Sequence, residues 1–364
     1  MVNPLIYVGS LQYSPVYKSL CCAFGKACEE AGYSVKYLFS YEYEWLLDDN
    51  TREKTVFVGH SRSMSTMLQD ALSLKNKAKL REIFLKDNPS HFYLHNYHML
   101  NHYIAKLSTR HNCRFIFHSH EPYVKNKKAH GGFHQYWLYI SEYMEERLLR
   151  NTSVIIVSSA EASKLFDERF PKFTGKKIEI PLLFEDLGND NLTTKRRYIS
   201  FIGPPVPAKG PEIFLKILDY AEANNLPWTF FLISRTKIDD PKFNNRRNLE
   251  IYYNSGLDKE FASLLKNSYA VLAPYTRETQ SAGILMSYMN GTPVISSNVG
   301  GMPEFVLSGE TGCLVDVCAP VEKWLEGISF VITNFQRMSI ASRKYFTDNF
   351  SGNNWQRYLE AVLE

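Results

Sequence analysis

A carboxylate, a lysine, two histidines and a run of small residues at a helix start carry the chemistry of this chain. Residues 273–315 read APYTRETQSAGILMSYMNGTPVISSNVGGMPEFVLSGETGCLV. The pattern predicts a strand end, a polar loop holding Glu278, and a short helix over 281–290 that stops at Gly291. A buried strand from Pro293 to Ser296 and a glycine turn at Gly300-Gly301 follow. In a parallel sheet this order sets Glu278 and the helix start at the carboxyl edge, where open α/β sheets bind ligands. The N–H groups of Ser281, Ala282 and Gly283 lie before the helix's own hydrogen bonds begin. With the partial positive charge there, they suit a phosphate.

Two further segments add reactive groups. Residues 201–218, FIGPPVPAKGPEIFLKIL, predict a strand, a turn at Gly203 and a helix opening at Lys209-Gly210. A lysine there is a point charge suited to phosphate. A cation at a helix start costs a little stability, which favours a functional role over an exposed structural lysine. Residues 114–122, RFIFHSHEP, predict a strand that delivers His118 and His120 to its carboxyl end. His120 lies beyond the apolar run and is the preferred functional histidine; His118 is the alternative.

Strands alternating with helices must position these groups. Strands are expected at Leu5–Gly9, Val35–Phe39, Val56–Gly59, Phe92–His95, Phe115–His118, Val154–Ser158 and Lys177–Pro181. Helices are expected over Tyr17–Ala31, closed by Gly32, and over Trp137–Leu149. The polar stretch 185–197, EDLGNDNLTTKRR, reads as a linker. The alternation then restarts with strands at Tyr198–Ile202, Trp228–Ile233, Leu249–Tyr253, Ala270–Leu272 and Val294–Ser296, and a helix over Gly210–Asn224. Such alternation implies parallel βαβ units and doubly wound sheets. At 364 residues the chain is long enough for two such domains.

Composition narrows the function classes. The net charge of +4 is small for the length and its basic residues are interspersed with acidic ones, so nucleic acid is not an expected partner. No charged leader with an apolar core is seen at the N-terminus, and no apolar run approaches the ~18 residues of a membrane span. A cytoplasmic location is expected. The six cysteines form no CxxC pair, so free thiols are expected. All ten histidines lie between His60 and His134, but without a matched second pair of ligands beside His118, His120 and Glu121 no metal site is expected.

Taken together, these segments resemble the retaining glycosyltransferases of family 4, the group 1 glycosyltransferases, whose fold is called GT-B. The resemblance is close from Tyr198 to Val315 and looser before Phe115. It implies two Rossmann-like domains around an interdomain cleft, with a C-terminal helix crossing back to the first domain. The domains would be 1–184 for the acceptor, 198–340 for the nucleotide-sugar donor and 341–364 for the crossover, whose Phe350, Trp355, Tyr358, Leu359 and Val362 are spaced for one buried face. The implied activity moves a hexose from a UDP- or GDP-sugar to a glycan, a lipid-linked glycan or another sugar acceptor, with retention and without metal or cofactor. Polysaccharide, lipopolysaccharide or glycolipid assembly is the implied setting. The implied catalytic residues are Glu278 and His120. The implied donor-binding residues are Gly203, Lys209, Gln280, Ser281, Ala282, Gly283 and Glu304, the last just past the glycine turn. His118, Gly9 and Ser10 are candidates for sugar or acceptor contact. The basic runs Lys75–Arg81 and Lys125–Lys128 are candidates for peripheral contact with the inner membrane face.

The chain departs from the family pattern twice. The family's second glutamate, which holds the donor ribose, falls on Met286, and its phosphate-binding arginine falls on Pro204. Gln280-Ser281, Tyr288 and the run Gly291–Val294 still fit, as in a branch of polysaccharide-building transferases with an apolar residue at the second position. The departures also define a competing expectation, a non-catalytic binding or scaffold subunit of a glycan-assembly complex. A nucleotide-sugar epimerase shares the architecture and is the third reading.

Overall fold

The structure, a computed structural model, describes residues 3–61, 63–120, 122–123, 132–188, 192, 196–253 and 259–364. The chain divides into two compact units. One comprises Met1–Glu185 with Gly352–Glu364, the other Asp186–Ser351.

The first unit is built on seven parallel strands. They are β1 (Leu5–Ser10), β2 (Ser34–Phe39), β3 (Thr55–Phe57), β4 (His91–His95), β5 (Arg114–Ser119), β6 (Val154–Val157) and β7 (Lys176–Glu179). Their order in the sheet is β3-β2-β1-β4-β5-β6-β7. Alternation along each strand feeds two cores. Ile6, Val8, Tyr93, Ile116 and Ile156 pack with the helix Pro15–Glu30 on one face. Tyr7, Phe92, Phe115, Phe117 and Ile155 pack with Leu80, Ile104, Leu148 and Phe166 on the other. The helix Pro15–Glu30 ends in a left-handed Gly32, with Gly32 N–H donating to Glu29 O and Tyr33 N–H to Cys28 O, the Schellman pattern.

Residues 352–364 complete this unit. The Trp355 ring sits 4.7 Å from that of Phe24, and the ring Nε2 of His91 is 2.9 Å from the Leu363 carbonyl. The returning segment is shorter and less regular than the tail pattern suggests: a 3-10 turn Gly352–Arg357 and a short helix Leu359–Leu363. The helix before it, Phe335–Asn349, and Phe350 belong to the second unit, where Phe350 packs against Tyr345 and Phe305.

The second unit repeats the design with β8 (Tyr198–Ile202), β9 (Thr229–Ser234), β10 (Leu249–Tyr253), β11 (Ser268–Ala273), β12 (Val294–Ser297) and β13 (Gly312–Val315). All pair in parallel, in the order β10-β9-β8-β11-β12-β13. The sixth strand, β13, has no counterpart among the strands expected from the sequence, because GCLV is too short to show a period.

The polar stretch expected as a linker is partly docked. Residues 189–191 and 193–195 lie outside the described residues, but the segment's ends do not run free. Arg343 grips Asp186 with both terminal nitrogens, at 2.8 and 2.9 Å. Arg196 is buried and donates to the carbonyls of Leu265, Ser268, Asn290 and Gly291 and to Thr292 Oγ1. Two of those carbonyls close the helix Ala282–Met289, where a cation is favoured by the helix dipole.

Candidate functional site

In the second sheet the direction of winding reverses between β8 and β11, and the loops after these two strands carry the candidate site residues. After β8, Gly203 takes a left-handed φ of +108° and its N–H donates to Ile233 O at 2.8 Å. A 3-10 turn, Pro207–Lys209, leads to Gly210 at φ +65°. A Cβ on Gly210 would stand 1.8 Å from the Pro274 carbonyl oxygen, so only glycine lets this turn lie against the end of β11. Thr276 then clips the two loops together, its N–H donating to Ala208 O (3.1 Å) and its hydroxyl to Pro207 O (3.2 Å).

This clamp brings together residues 69 apart in sequence. Lys209 Nζ lies 3.4 Å from Glu278 Oε2 and 3.9 Å from the centre of the Tyr275 ring. Glu278 Oε1 accepts the Thr279 N–H at 3.1 Å. The Glu278 carbonyl accepts the Gly301 N–H at 3.0 Å, and a Cβ on Gly300 would stand 2.2 Å from that oxygen. The glycine turn is therefore what fixes the loop carrying the carboxylate. Tyr275 Oη and Ser281 Oγ are 3.0 Å apart, tying the aromatic wall to the helix cap.

The helix Ala282–Met289 opens toward this cluster. Its first hydrogen bonds run from Ile284 and Leu285 N–H to Ser281 O (3.1 and 3.2 Å), so Ala282 and Gly283 precede them with N–H groups oriented for an external acceptor. A Cβ on Gly283 would meet only ordinary contacts, the nearest 3.6 Å away, so packing alone does not require glycine there. At its far end Gly291 (φ +62°) and Thr292 close the helix onto Tyr288 and Ser287 carbonyls.

Lys209 is less exposed than a lysine at a loop end suggests: its side chain keeps 25% of its accessible surface and that of Glu278 keeps 10%. The clamp and the Tyr275 ring cover it. Burial pulls the Lys209 ammonium down, but Tyr275 and the Glu278 carboxylate outweigh burial and hold it above the usual lysine range. It therefore stays charged at neutral pH. Gln280 and Ser281 are buried beside it. Glu304 stands exposed on the short helix Met302–Phe305, just past the turn that holds Glu278. Met286 is buried in the helix and presents a thioether, a weak acceptor for a hydroxyl. Pro204 contributes its carbonyl to the Val206 N–H at 2.8 Å and no cation.

In the first unit His118 and His120 lie at the carboxyl end of β5, both buried. The register of β4 against β5 sets His95 opposite His118, and their rings lie 4.4 Å apart. Tyr93 Oη bridges them, 2.8 Å from His118 Nδ1 and 3.3 Å from His95 Nδ1. One hydroxyl proton serves two ring nitrogens, so the two imidazoles take opposite tautomers. The Nε2 atoms of His95 and His118 make no hydrogen bond to a described residue. Tyr17 packs against His95 and His120 and accepts from Asn96 Nδ2 at 2.7 Å. Burial, then the neighbouring His120, pulls His118 down to about 3; burial, then His118 and His120, holds His95 well below the usual histidine range. The pair is neutral in the working range. Gly9 and Ser10 have structural duties at the end of β1: a Cβ on Gly9 would stand 1.8 Å from Leu38 O, and Ser10 Oγ donates to Gln12 O at 2.8 Å. Glu121, His130 and the run Lys125–Lys128 lie outside the described residues. Among the described residues no group of three or more histidine, cysteine or carboxylate side chains is arranged to hold a metal.

Tyr275, Tyr93 and His95 are members of these clusters that sequence reasoning did not single out. His95 ends an apolar strand as His118 does, and that was its one signal.

Two doubly wound units, one with a lysine–carboxylate pair beside an open helix N-terminus, define a nucleotide-binding α/β architecture. Comparison with known proteins makes the class specific. Residues 20–180 match the family described as Glycosyltransferase Family 4, and residues 196–334 match that described as Glycosyl transferases group 1. The two matches take in most of the chain, which belongs to the family 4, group 1 glycosyltransferases with the GT-B fold. A curated relative, the D-inositol 3-phosphate glycosyltransferase of Rhodococcus opacus, is 31% identical over 105 residues, which is 28% of this chain and 23% of the relative. The alignment thus spans about a quarter of that relative's length. Among solved structures, the catalytic domain of starch synthase IV from Arabidopsis thaliana, bound to ADP and acarbose, superposes with a TM-score of 0.70 at 12% identity, covering 100% of this chain and 99% of that one. The Anabaena protein HepE in complex with UDP-glucose gives 0.68 at 13% identity, covering 98% and 99%.

Proposed function

We propose that the chain is a hexosyltransferase that binds a UDP- or GDP-sugar in its second unit and transfers the hexose to a glycan or lipid-linked acceptor. The observation that carries this reading is the half-buried, charged Lys209, held by Glu278 and Tyr275 beside the N–H groups of Ala282 and Gly283. The diphosphate would take Lys209 as its counter-charge and accept from the first-turn N–H groups. These groups are strongest where negative charge grows, on the departing nucleoside diphosphate. They would balance that charge without a divalent ion. As the diphosphate draws Lys209, the Glu278 carboxylate is released toward the sugar hydroxyls, so donor binding itself would set the carboxylate in its working position. His120 is a further candidate for sugar contact. Retention is carried over from the family and rests on no separate observation.

For the acceptor, lipid-linked glycans at a membrane face fit the helix Leu74–Asp87. It exposes Leu74 (82%) and Leu85 (74%) among Lys75, Arg81 and Lys86. No helix among the described residues is long and apolar enough to cross a membrane. Polysaccharide or glycolipid assembly is the setting this reading implies.

A second reading, a nucleotide-binding subunit without turnover, is favoured by Met286 and Pro204 at two donor contacts of the family. One experiment separates the two. A thermal-shift screen with nucleotides and nucleotide sugars detects binding, since ligand at ~100 times its Kd adds about 2.7 kcal/mol of stability. Product analysis with and without acceptor then detects transfer. Binding without any sugar release or transfer would leave the subunit reading standing, and no binding at all would remove both.

A further inference from the structure

We propose that the first unit carries a second ligand site, for a phosphate-bearing molecule with an apolar or ring-shaped body, at the edge of its sheet opposite His120. The segments that enter β6 and β7 at their amino ends border a half-open cavity of about 610 Å³. Small-molecule sites commonly measure roughly 300–1,000 Å³. His120 follows the carboxyl end of β5, and in a parallel sheet that is the other edge. A molecule in this cavity therefore does not compete with one held at the carboxyl edge.

The lining is cationic and aromatic. Arg150 and Lys172 stand exposed at the rim, and neither makes an ion pair with a described residue. Arg169 lies deeper, its side chain keeping only 4% of its accessible surface. Glu145 neutralises it through Nη2, and its guanidinium carbon sits 4.6 Å from the centre of the Phe170 ring. The buried Arg169 Nε has no hydrogen-bond partner, although Arg169 lines the cavity. An uncompensated buried donor of this kind is uncommon. Phe173 adds an aromatic wall, fixed edge-on against Phe166 with ring centres 5.4 Å apart. Glu146 is the single carboxylate among the lining residues. With Arg169 balanced by Glu145, Arg150 and Lys172 outweigh it. Two unpaired cations above aromatic walls recognise a phosphate ester by charge and its body by apolar contact.

The phosphate could come from a soluble ester or from a lipid headgroup, and two probes distinguish them: phenyl phosphate by calorimetry, and phosphatidylglycerol vesicles by flotation against phosphatidylcholine controls. The double variant Arg150→Glu/Lys172→Glu is expected to weaken binding of one probe at least about tenfold, as loss of charged hydrogen bonds requires. Thr174→Trp, at an exposed lining position, fills the cavity without changing charge and is expected to have a similar effect. Lys209→Ala, in the other unit, leaves this binding unchanged. Binding of phenyl phosphate alone assigns the soluble ester, and binding of the vesicles alone assigns the headgroup. If neither probe binds, or if binding survives both the charge reversal and Thr174→Trp, the site does not exist. If Lys209→Ala abolishes the binding while Arg150→Glu/Lys172→Glu preserves it, the phosphate sits in the second unit and the proposal falls.

Discussion

Replacing Lys209 by alanine tests the donor site most directly, because the lysine has two partners whose roles can be separated. Nζ lies 3.4 Å from Glu278 Oε2, with a quarter of the lysine side chain exposed. The gross attraction at such a distance is several kcal/mol in a protein-like medium, but partial exposure and desolvation leave a net stabilisation of about 1 kcal/mol. Lys209→Ala should therefore lower fold stability only slightly. Its effect on a bound nucleoside diphosphate should be larger. A charged hydrogen bond to phosphate is worth about 1.5–3 kcal/mol, so affinity should fall roughly 10- to 150-fold. Part of that loss is indirect: without the ammonium, the Glu278 carboxylate faces the diphosphate uncompensated. The double variant Lys209→Ala/Glu278→Gln should therefore bind UDP or GDP more tightly than Lys209→Ala alone. The recovery should correspond to a coupling on the order of 0.5–3 kcal/mol, the range for groups in contact. Calorimetry on wild type, both single variants and the double variant closes the cycle. Unchanged affinity in Lys209→Ala would take the lysine out of the site. A double variant weaker than Lys209→Ala would show that Glu278 does not oppose the diphosphate and would refute the exchange of partners described above.

Further outcomes follow from the same geometry. Glu278→Gln should nearly abolish sugar transfer while nucleotide affinity stays within a few-fold, since its carboxylate is assigned to the sugar and not the phosphate; wild-type rates in this variant would sink that assignment. If Met286 stands where the family's ribose-binding glutamate does, UDP and 2′-deoxy-UDP should compete almost equally, because the missing hydroxyl contacts are worth roughly 1–3 kcal/mol when a carboxylate makes them; a strong preference for the ribose form would place another group at that position. Acid should destabilise the first unit earlier than its carboxylates alone require. Burial first, then the neighbouring His120, puts His118 at about 3; burial puts His98 at about 4 against the opposing pull of the His60 carbonyl, Asp70 and Glu42; and burial with His118 and His120 holds His95 well below its ordinary value. The unfolded chain protonates these rings near pH 6.5 and the folded chain does not, so stability is full above that pH and declines as pH falls, by about 1.4 kcal/mol per pH unit for each ring. Urea denaturation between pH 7.5 and 5 measures the slope, and His118→Phe should reduce it by one proton's worth; a flat profile would contradict the neutral cluster. Trp355→Ala should cost about 3–5 kcal/mol by opening a void beside Phe24 and Tyr93, and a loss well below 1 kcal/mol in the same assay would mean the returning tail contributes little to the first unit.

Much of the architecture was legible because local patterns encode it. Four apolar residues in a row mark β6 as a strand buried on both faces, and Gly32 and Gly291 mark helix ends because only glycine accepts their left-handed backbone cheaply. Glu278, Lys209 and the start of the helix Ala282–Met289 could be assigned to a sheet edge because each follows an apolar strand. Two-residue periodicity says which face a side chain takes. It says nothing of which strands become neighbours.

The contacts that make the site were settled only by the folded chain. Gly210 against Pro274 O, a fit no local pattern announces, carries Lys209 to Glu278 and shields it with Tyr275. The pairing of β4 with β5 places His95 on His118, though 22 residues separate them in sequence. Arg196, read from composition as part of a linker, is buried because five acceptors from two helix ends, the start of β11 and Thr292 converge on it. Charge along a sequence predicts solvation by default. Only tertiary structure can supply enough acceptors to replace the water.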